Sequence, residues 1–519
     1  MKRTFRRLAL AFCLTTCLAP AASASATTGP VPGLPASALE VMNQPPYANG
    51  QWFISVRDIE TGQQLVSLNA DSLVEPGSVV KTYSMGAGWL RFGPNRQIVT
   101  PVKRQGKVVN GELKGDLTLV GEGDLTMGGR TKPDGKVDFT NLDHNDANDL
   151  PGATLTPENP LTGLNELAAQ VRASGIRSVA GNVIVDDRLF KTFQLSNGPV
   201  TPIIINNNLI DFTTTPGKVG KVASIVMRPK VAPWTVTSQV KTVAAGGETK
   251  IKVTSPSHGK IVLSGTIAAD NGPNVNTYAF EDPARYARTA FIEALRRAGV
   301  KVAANATAPN PEASLPSRGT VAGLTTVARL KSLSLQQEAT YVLKVSYNRG
   351  AQTMVCLLAV AAGSRKCEDG LPEEATIWRK AGLNTDGAVF IDGSGLPGNL
   401  ITADNQVELE TIMAKRPEAA AWRSTLPILG VDGSLALVQP GGPATGKVFA
   451  KTGTLAAPDL FNNRILFPAK ALGGYIDAKS GKHLAFTIVA SNSVFSTIEG
   501  AFAANDDVGK VATIIQQSF

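Results

Sequence analysis

A serine and a lysine three residues apart could carry nucleophilic chemistry, as in Ser78-Val79-Val80-Lys81 and in Ser257-His258-Gly259-Lys260. On a helix, residues three apart share a face, so the lysine nitrogen can reach the hydroxyl. Burial and neighbouring cations lower a lysine pKa, and the neutral amine can then take a serine proton with no histidine. A helix start adds free N–H groups and partial positive charge where an oxyanion would form. Ser78 follows Pro76-Gly77 and opens an apolar run with Val79, Tyr83, Ala87 and Leu90 at helical spacing. Ser257 sits in a glycine-broken polar turn that could hardly begin a helix. Ser78 is the candidate nucleophile and Lys81 its base.

Two further clusters could serve the same reaction. Lys451-Thr452-Gly453-Thr454 ends an alternating run from Gly446, which predicts a strand with Lys451 and Gly453 on one face. A lysine and a hydroxyl on a strand edge can bind a terminal carboxylate, and glycine lets an extended peptide approach that edge. Ser346-Tyr347-Asn348 falls between two helical stretches, 333–345 and 350–362. A Ser and an Asn two apart on such a loop can project into a cleft as proton relay and amide donor. Ser67-Leu68-Asn69 shares that pattern but lies in a predicted strand before the nucleophile. Each motif alone is common.

The elements that must hold these residues show in the pattern. Residues 51–70 alternate around Glu60-Thr61-Gly62, a hairpin signal, and Gly86, Ala87 and Gly88 suggest a helix packed closely on its neighbours. From about 96 to 280, short β-like segments alternate with Gly, Pro, Asn and Asp clusters, interrupted by one helical stretch at 161–173. The polar, turn-rich segment 129–160 reads as a long surface loop. Asp282-Pro283 is an N-cap followed by proline, with Ala287, Phe291, Leu295 and Ala298 on one apolar face, and 303–319 is linker-like. Three strands, 447–454, 471–478 and 483–491, and a final helix with Val508, Ile514 and Ile515 are expected at the end.

Composition narrows the class. At 519 residues the chain is too long for one core, and two or three domains are expected. His144, His258 and His483 are the only histidines and form no paired zinc motif. Aromatic content of 6% argues against stacking platforms for nucleic acid. Residues 1–26 have a basic start, a short apolar run and an Ala-Ser-Ala site, the pattern of a removable export signal. That segment holds four of the 51 basic residues, leaving 47 against 42 acidic, with no basic run of the nucleic-acid type. Peripheral membrane association is compatible with this but not indicated. Cys13 and Cys17 leave with the segment, and Cys356 and Cys367 could form a disulfide or stay as two buried thiols.

The three motifs occur in the order S-x-x-K, S-x-N, K-T-G, the set described for class A β-lactamases and penicillin-binding proteins. With the stretches 115–121, 181–187, 392–396 and 426–433, the chain resembles the low-molecular-mass class C penicillin-binding proteins, which are D-alanyl-D-alanine carboxypeptidases and endopeptidases. Val79, and Tyr347 where the family often has Asp, depart from its usual middle positions. The resemblance implies an α/β (α+β) serine DD-peptidase/β-lactamase-like catalytic domain split by inserted β-rich domains. It places the catalytic domain at 27–95 and 281–519, a second domain at 96–188 and 262–280, and a third at 189–261. It implies that Ser78 attacks the D-Ala–D-Ala carbonyl and Lys81 takes its proton, while Ser346 and Asn348 relay the proton and orient the substrate. Lys451 and Thr452 would hold the terminal carboxylate, and the Ser78 and Thr454 N–H groups the oxyanion. The implied partners are peptidoglycan stem peptides and covalently bound β-lactams, without metal or cofactor, in the periplasm or cell envelope. The alternatives are a β-lactamase, for which Glu373 and Glu374 are the glutamates in the relevant interval, and a non-catalytic wall-binding protein.

Overall fold

The computed structural model describes residues 29–519. The export-signal reading of residues 1–26 lies outside the described residues. Among those described, no helix is long and apolar enough to cross a membrane.

The hairpin expected at 51–70 forms strands Gln51–Asp58 and Gln64–Leu68. It joins the C-terminal strands in one antiparallel sheet, ordered Gln64–Leu68, Gln51–Asp58, His483–Ser491, Arg464–Asp477, Val448–Asp459. The period of two sends alternate side chains to opposite faces. Trp52, Ile54, Val56, Leu472, Ile476, Phe486 and Ile488 meet the helices Ala36–Met42 and Gly500–Ser518. Phe53, Ala471, Tyr475 and Val489 face a second core built from the helices Lys81–Phe92, Leu335–Lys344, Asn348–Ala361, Gly370–Ala381 and Ala403–Ala414. Helix Lys81–Phe92 is buried centrally. A Cβ at Gly86 would stand 2.6 Å from the Trp378 ring, so the small residues do mark close packing.

The insertion has its own core. Strand Gln97–Arg104 pairs with Leu117–Val120, which runs parallel to Val183–Asp186, while helix Thr162–Ala173 supplies Leu164, Leu167 and Val171. Two three-stranded sheets follow, one around Leu209–Thr215 and one around Lys260–Ala268. The packing departs from the expected borders in two places. Lys260–Ala268 is the central strand between Thr235–Val243 and Lys250–Ser257, so a division at 261/262 would cut one sheet. Helix Pro283–Arg297, capped by Asp282, buries Ala287, Phe291 and Leu295 against the insertion, and Thr325–Ser334 pairs with Gln97–Arg104. The span 281–334 thus packs with the insertion, because its apolar face is complementary to that core.

A second correction concerns 129–160. It does not lie wholly on the surface: Arg130, Asp143 and His144 are buried. Arg130 grips Asp143 through two hydrogen bonds of 2.7 and 2.9 Å, and His144 Nδ1 lies 2.7 Å from Asp211 Oδ1. Mutual pairing of the polar side chains makes their burial tolerable. Cys356 and Cys367 form a disulfide that ties helix Asn348–Ala361 to the turn after it.

Candidate active site

Ser78 lies on the single 3-10 turn Gly77–Val80, and the α-helix begins at Lys81. The spacing of three still brings Lys81 Nζ to 2.6 Å from Ser78 Oγ. Lys81 is 0% exposed and donates to the Ser394 carbonyl at 2.7 Å. Burial pushes its pKa down to about 7, against the opposing charges of Asp392 and Asp146. A neutral amine that donates to Ser394 can turn its lone pair to the serine hydroxyl.

The Ser394 carbonyl belongs to a tightly built turn. Asp392 Oδ1 accepts from the backbone N–H groups of Ser394 and Gly395 at 2.6 and 2.9 Å and from Ser394 Oγ at 2.7 Å. Asn399 Nδ2 donates to the other carboxylate oxygen at 2.9 Å. Gly395 has φ +86°, and a Cβ there would run into the Gly77 carbonyl. Asp392 and Ser394 form a supporting turn beside the site, in keeping with their glycine-flanked sequence.

The other two motifs converge on the same place. Lys451 and Gly453 occupy strand Val448–Asp459 at the sheet edge, and a Cβ at Gly453 would collide with Pro76 O, just before the serine turn. Lys451 Nζ donates to Ser346 Oγ at 2.9 Å and to Thr452 O at 2.7 Å. Burial, with the nearby Lys81, drives its pKa well below the usual lysine value. Ser346 sits at φ 61° between helices Leu335–Lys344 and Asn348–Ala361, a conformation that turns the chain sharply enough for its hydroxyl to meet Lys451. Tyr347 points away, buried against Tyr341 with ring centroids 5.5 Å apart. Ser78, Ser346, Asn348, Thr452 and Thr454 line one cavity of about 480 Å³.

Three residues of this cavity were not singled out from the sequence. Ser434 Oγ is 2.7 Å from Thr452 Oγ1. Lys470, 4% exposed, donates to Thr454 Oγ1 at 2.8 Å, and burial pushes its pKa down to about 7. Asp146 arrives from 129–160, its pKa raised to about 7 by burial and Asp149 despite Lys81 and Lys451. A lone cation in the apolar run around Ala469 and Ala471 was a readable signal for Lys470; Asp146 had none.

The decoys separate. Ser257 and Lys260 face each other across a hairpin, and Asn69 donates to Trp52 O at 2.9 Å after strand Gln64–Leu68. Glu374 is buried beside Tyr83 and Trp378 in a different cavity.

Comparison with known proteins shows the family and the fold. A D-alanyl-D-alanine carboxypeptidase of Actinomadura sp. (strain R39) is 27% identical over 463 residues, covering 84% of this chain and 77% of that protein. The D-alanyl-D-alanine carboxypeptidase DacB of Haemophilus influenzae is 23% identical over 458 residues, covering 83% of each. The crystal structure of penicillin binding protein 4 (dacB) from Haemophilus influenzae superposes with TM-score 0.68 at 18% identity, over 91% of this chain and 98% of that one, which shows the shared fold. The same protein complexed with a β-lactam gives 0.64 at 19% identity, over 88% and 95%. Residues 36–507, nearly everything described, match one family from end to end, and the chain belongs to the D-Ala-D-Ala carboxypeptidase 3 (S13) family.

Proposed function

We propose that this serine D-Ala-D-Ala carboxypeptidase and/or endopeptidase works on peptidoglycan stem peptides through an acyl-enzyme on Ser78. The observation that carries the assignment is the buried Lys81 Nζ at 2.6 Å from Ser78 Oγ, beside the second pair, Lys451 and Ser346, at 2.9 Å. Ser78 Oγ adds to the D-Ala carbonyl carbon while its proton passes to the neutral Lys81 amine. The oxyanion is received by the backbone N–H groups of Ser78 and Thr454. Close approach of the two segments supports this, since a Cβ on Gly77 would stand 2.8 Å from Thr454 N. A single such donor is worth about 3–4 kcal/mol in the transition state. Collapse expels the amine, which takes its proton through Ser346, while Asn348 orients the acyl-side amide. Water then cleaves the ester, with the proton path reversed.

A β-lactam carries the same carbonyl and carboxylate in a ring, so its leaving group stays attached and the acyl-enzyme persists. The β-lactam complex of the Haemophilus influenzae relative supports this reading. The position of Glu374, away from the serine cavity, speaks against a β-lactamase of the class A kind. The Cys356–Cys367 disulfide and the N-terminal pattern support export to an oxidising envelope compartment. The test is covalent labelling of the purified enzyme by fluorescent penicillin, followed by peptide mapping. Label on the Ser78 peptide, lost in Ser78→Ala, is expected; label persisting in that variant overturns the assignment.

A further inference from the structure

We propose that Lys470, acting with the Thr454 hydroxyl, reads the carboxylate on the leaving-group side of the scissile bond. This deepens the reading of Ser78 as nucleophile and reassigns a task that the family resemblance gives to Lys451. Lys451 is 0% exposed and already donates to Ser346 Oγ and to the Thr452 carbonyl, which commits two of its three possible donors. Lys470 is differently placed. It lies directly across the strand pair from Thr454 and lines the same cavity as Ser78. Its ammonium has three donors, of which one goes to Thr454 Oγ1 at 2.8 Å. Among the described residues, no carboxylate forms an ion pair with it or contributes to its electrostatics. Burial without a counter-charge favours the neutral amine, and a carboxylate entering this cavity would restore the charge on Lys470.

The direction of the Thr454 bond strengthens the case. Because Lys470 donates to Thr454 Oγ1, the threonine's own O–H is left to donate elsewhere, and Thr454 lies on the exposed edge of the strand. Lysine N–H and threonine O–H together present donors to a carboxylate, with the charge behind and the hydroxyl in front. Thr452 and Ser434, joined at 2.7 Å, extend the hydroxyl rim. The ligand class is therefore a carboxylate on the carbon that bears the leaving amine, as in free D-alanine or a D-centred amino acid of a cross-link.

The experiment compares an N-acylated peptide ending in D-Ala-D-Ala with the same peptide ending in D-alaninamide. Wild-type enzyme should favour the carboxylate in kcat/KM by about tenfold or more, as a charge-assisted hydrogen bond implies. Lys470→Met should reduce that ratio about tenfold, and Lys470→Arg should restore most of it. Equal rates on the two peptides in wild type, or a ratio unchanged in Lys470→Met, overturns the proposal. The wild-type comparison stands even if the Met variant fails to fold. Penicillin labelling of Ser78, measured in parallel, separates failure of this proposal from failure of the nucleophile assignment.

Discussion

A lysine beside a serine acts as a base only while it is neutral. Lys81 owes that state to burial, which brings its pKa to about 7, while Asp146 and Asp392 hold it from falling further. Protonated below the midpoint, the amine cannot take the serine proton, and above it the lone pair is free. Penicillin acylation should therefore rise with pH through a midpoint near 7 and then level off, as measured by stopped-flow labelling. Asp146→Asn removes a negative neighbour that favours the charged lysine, so the midpoint should move down by about half a pH unit. An upward move would show that Asp146 acts by some other route. Lys81→Arg, held protonated at all these pH values, should acylate very slowly with the fold intact.

Among the elements, the turn carrying Asp392 and Ser394 does more than fill space. Its carbonyl accepts from Lys81, and its glycine presses on the serine turn at Gly77. Gly395→Ala meets both the left-handed backbone at φ +86° and the Gly77 carbonyl. Strain of about 1–3 kcal/mol is expected, together with displacement of Ser78 from Lys81. Gly398→Ala is the matched control, because at φ +102° its Cβ meets only the flexible Ile391 Cδ1 at 2.9 Å. Both variants should melt lower, but only Gly395→Ala should lose penicillin acylation, by about tenfold or more. Equal acylation in the two would mean that the turn merely packs. The importance of this turn was only half legible. Asp, Gly and Ser predict a bend, but that the bend delivers a carbonyl to a lysine more than three hundred positions earlier depends on the assembled fold.

Across the whole molecule, a buried polar network couples the insertion to the catalytic body. Arg130 binds Asp143, lies 2.8 Å from His144 Nε2, and rests over the Tyr341 ring at 4.4 Å. His144 contacts Asp211 and Asn207 of the insertion, at 2.7 Å each, and Asn207 also donates to Tyr341 OH. Tyr341 stands on the helix that leads to Ser346, and Asp146 follows His144 into the catalytic cavity. Asn206, Asn207 and Asn208 all have positive φ, an uncommon run that presents Asn207 to this junction. Arg130→Met strands the Asp143 carboxylate and should cost about 3–5 kcal/mol, whereas Arg130→Met with Asp143→Leu should recover much of the loss. Thermal melting of the single and double variants measures it, and additive losses would deny the coupling.

From the sequence alone came the three motifs, their order and the helix–loop–strand character of their carriers, while the long insertion was implied by the family resemblance. The motifs and their carriers follow from local rules: three residues on a helical turn bring Ser78 and Lys81 together, and alternation predicts a strand over 447–454, which continues to Asp459 in the fold. The tertiary structure alone decided the partners of Lys451 and Lys470, where 281–334 packs, and that a polar segment at 129–160 reaches the Ser78 cavity. Burial, counter-charges and the company of a side chain arise from contacts between distant segments. Spacing places Ser78 and Lys81 together, and the surrounding fold, by burying the lysine, sets the charge it carries.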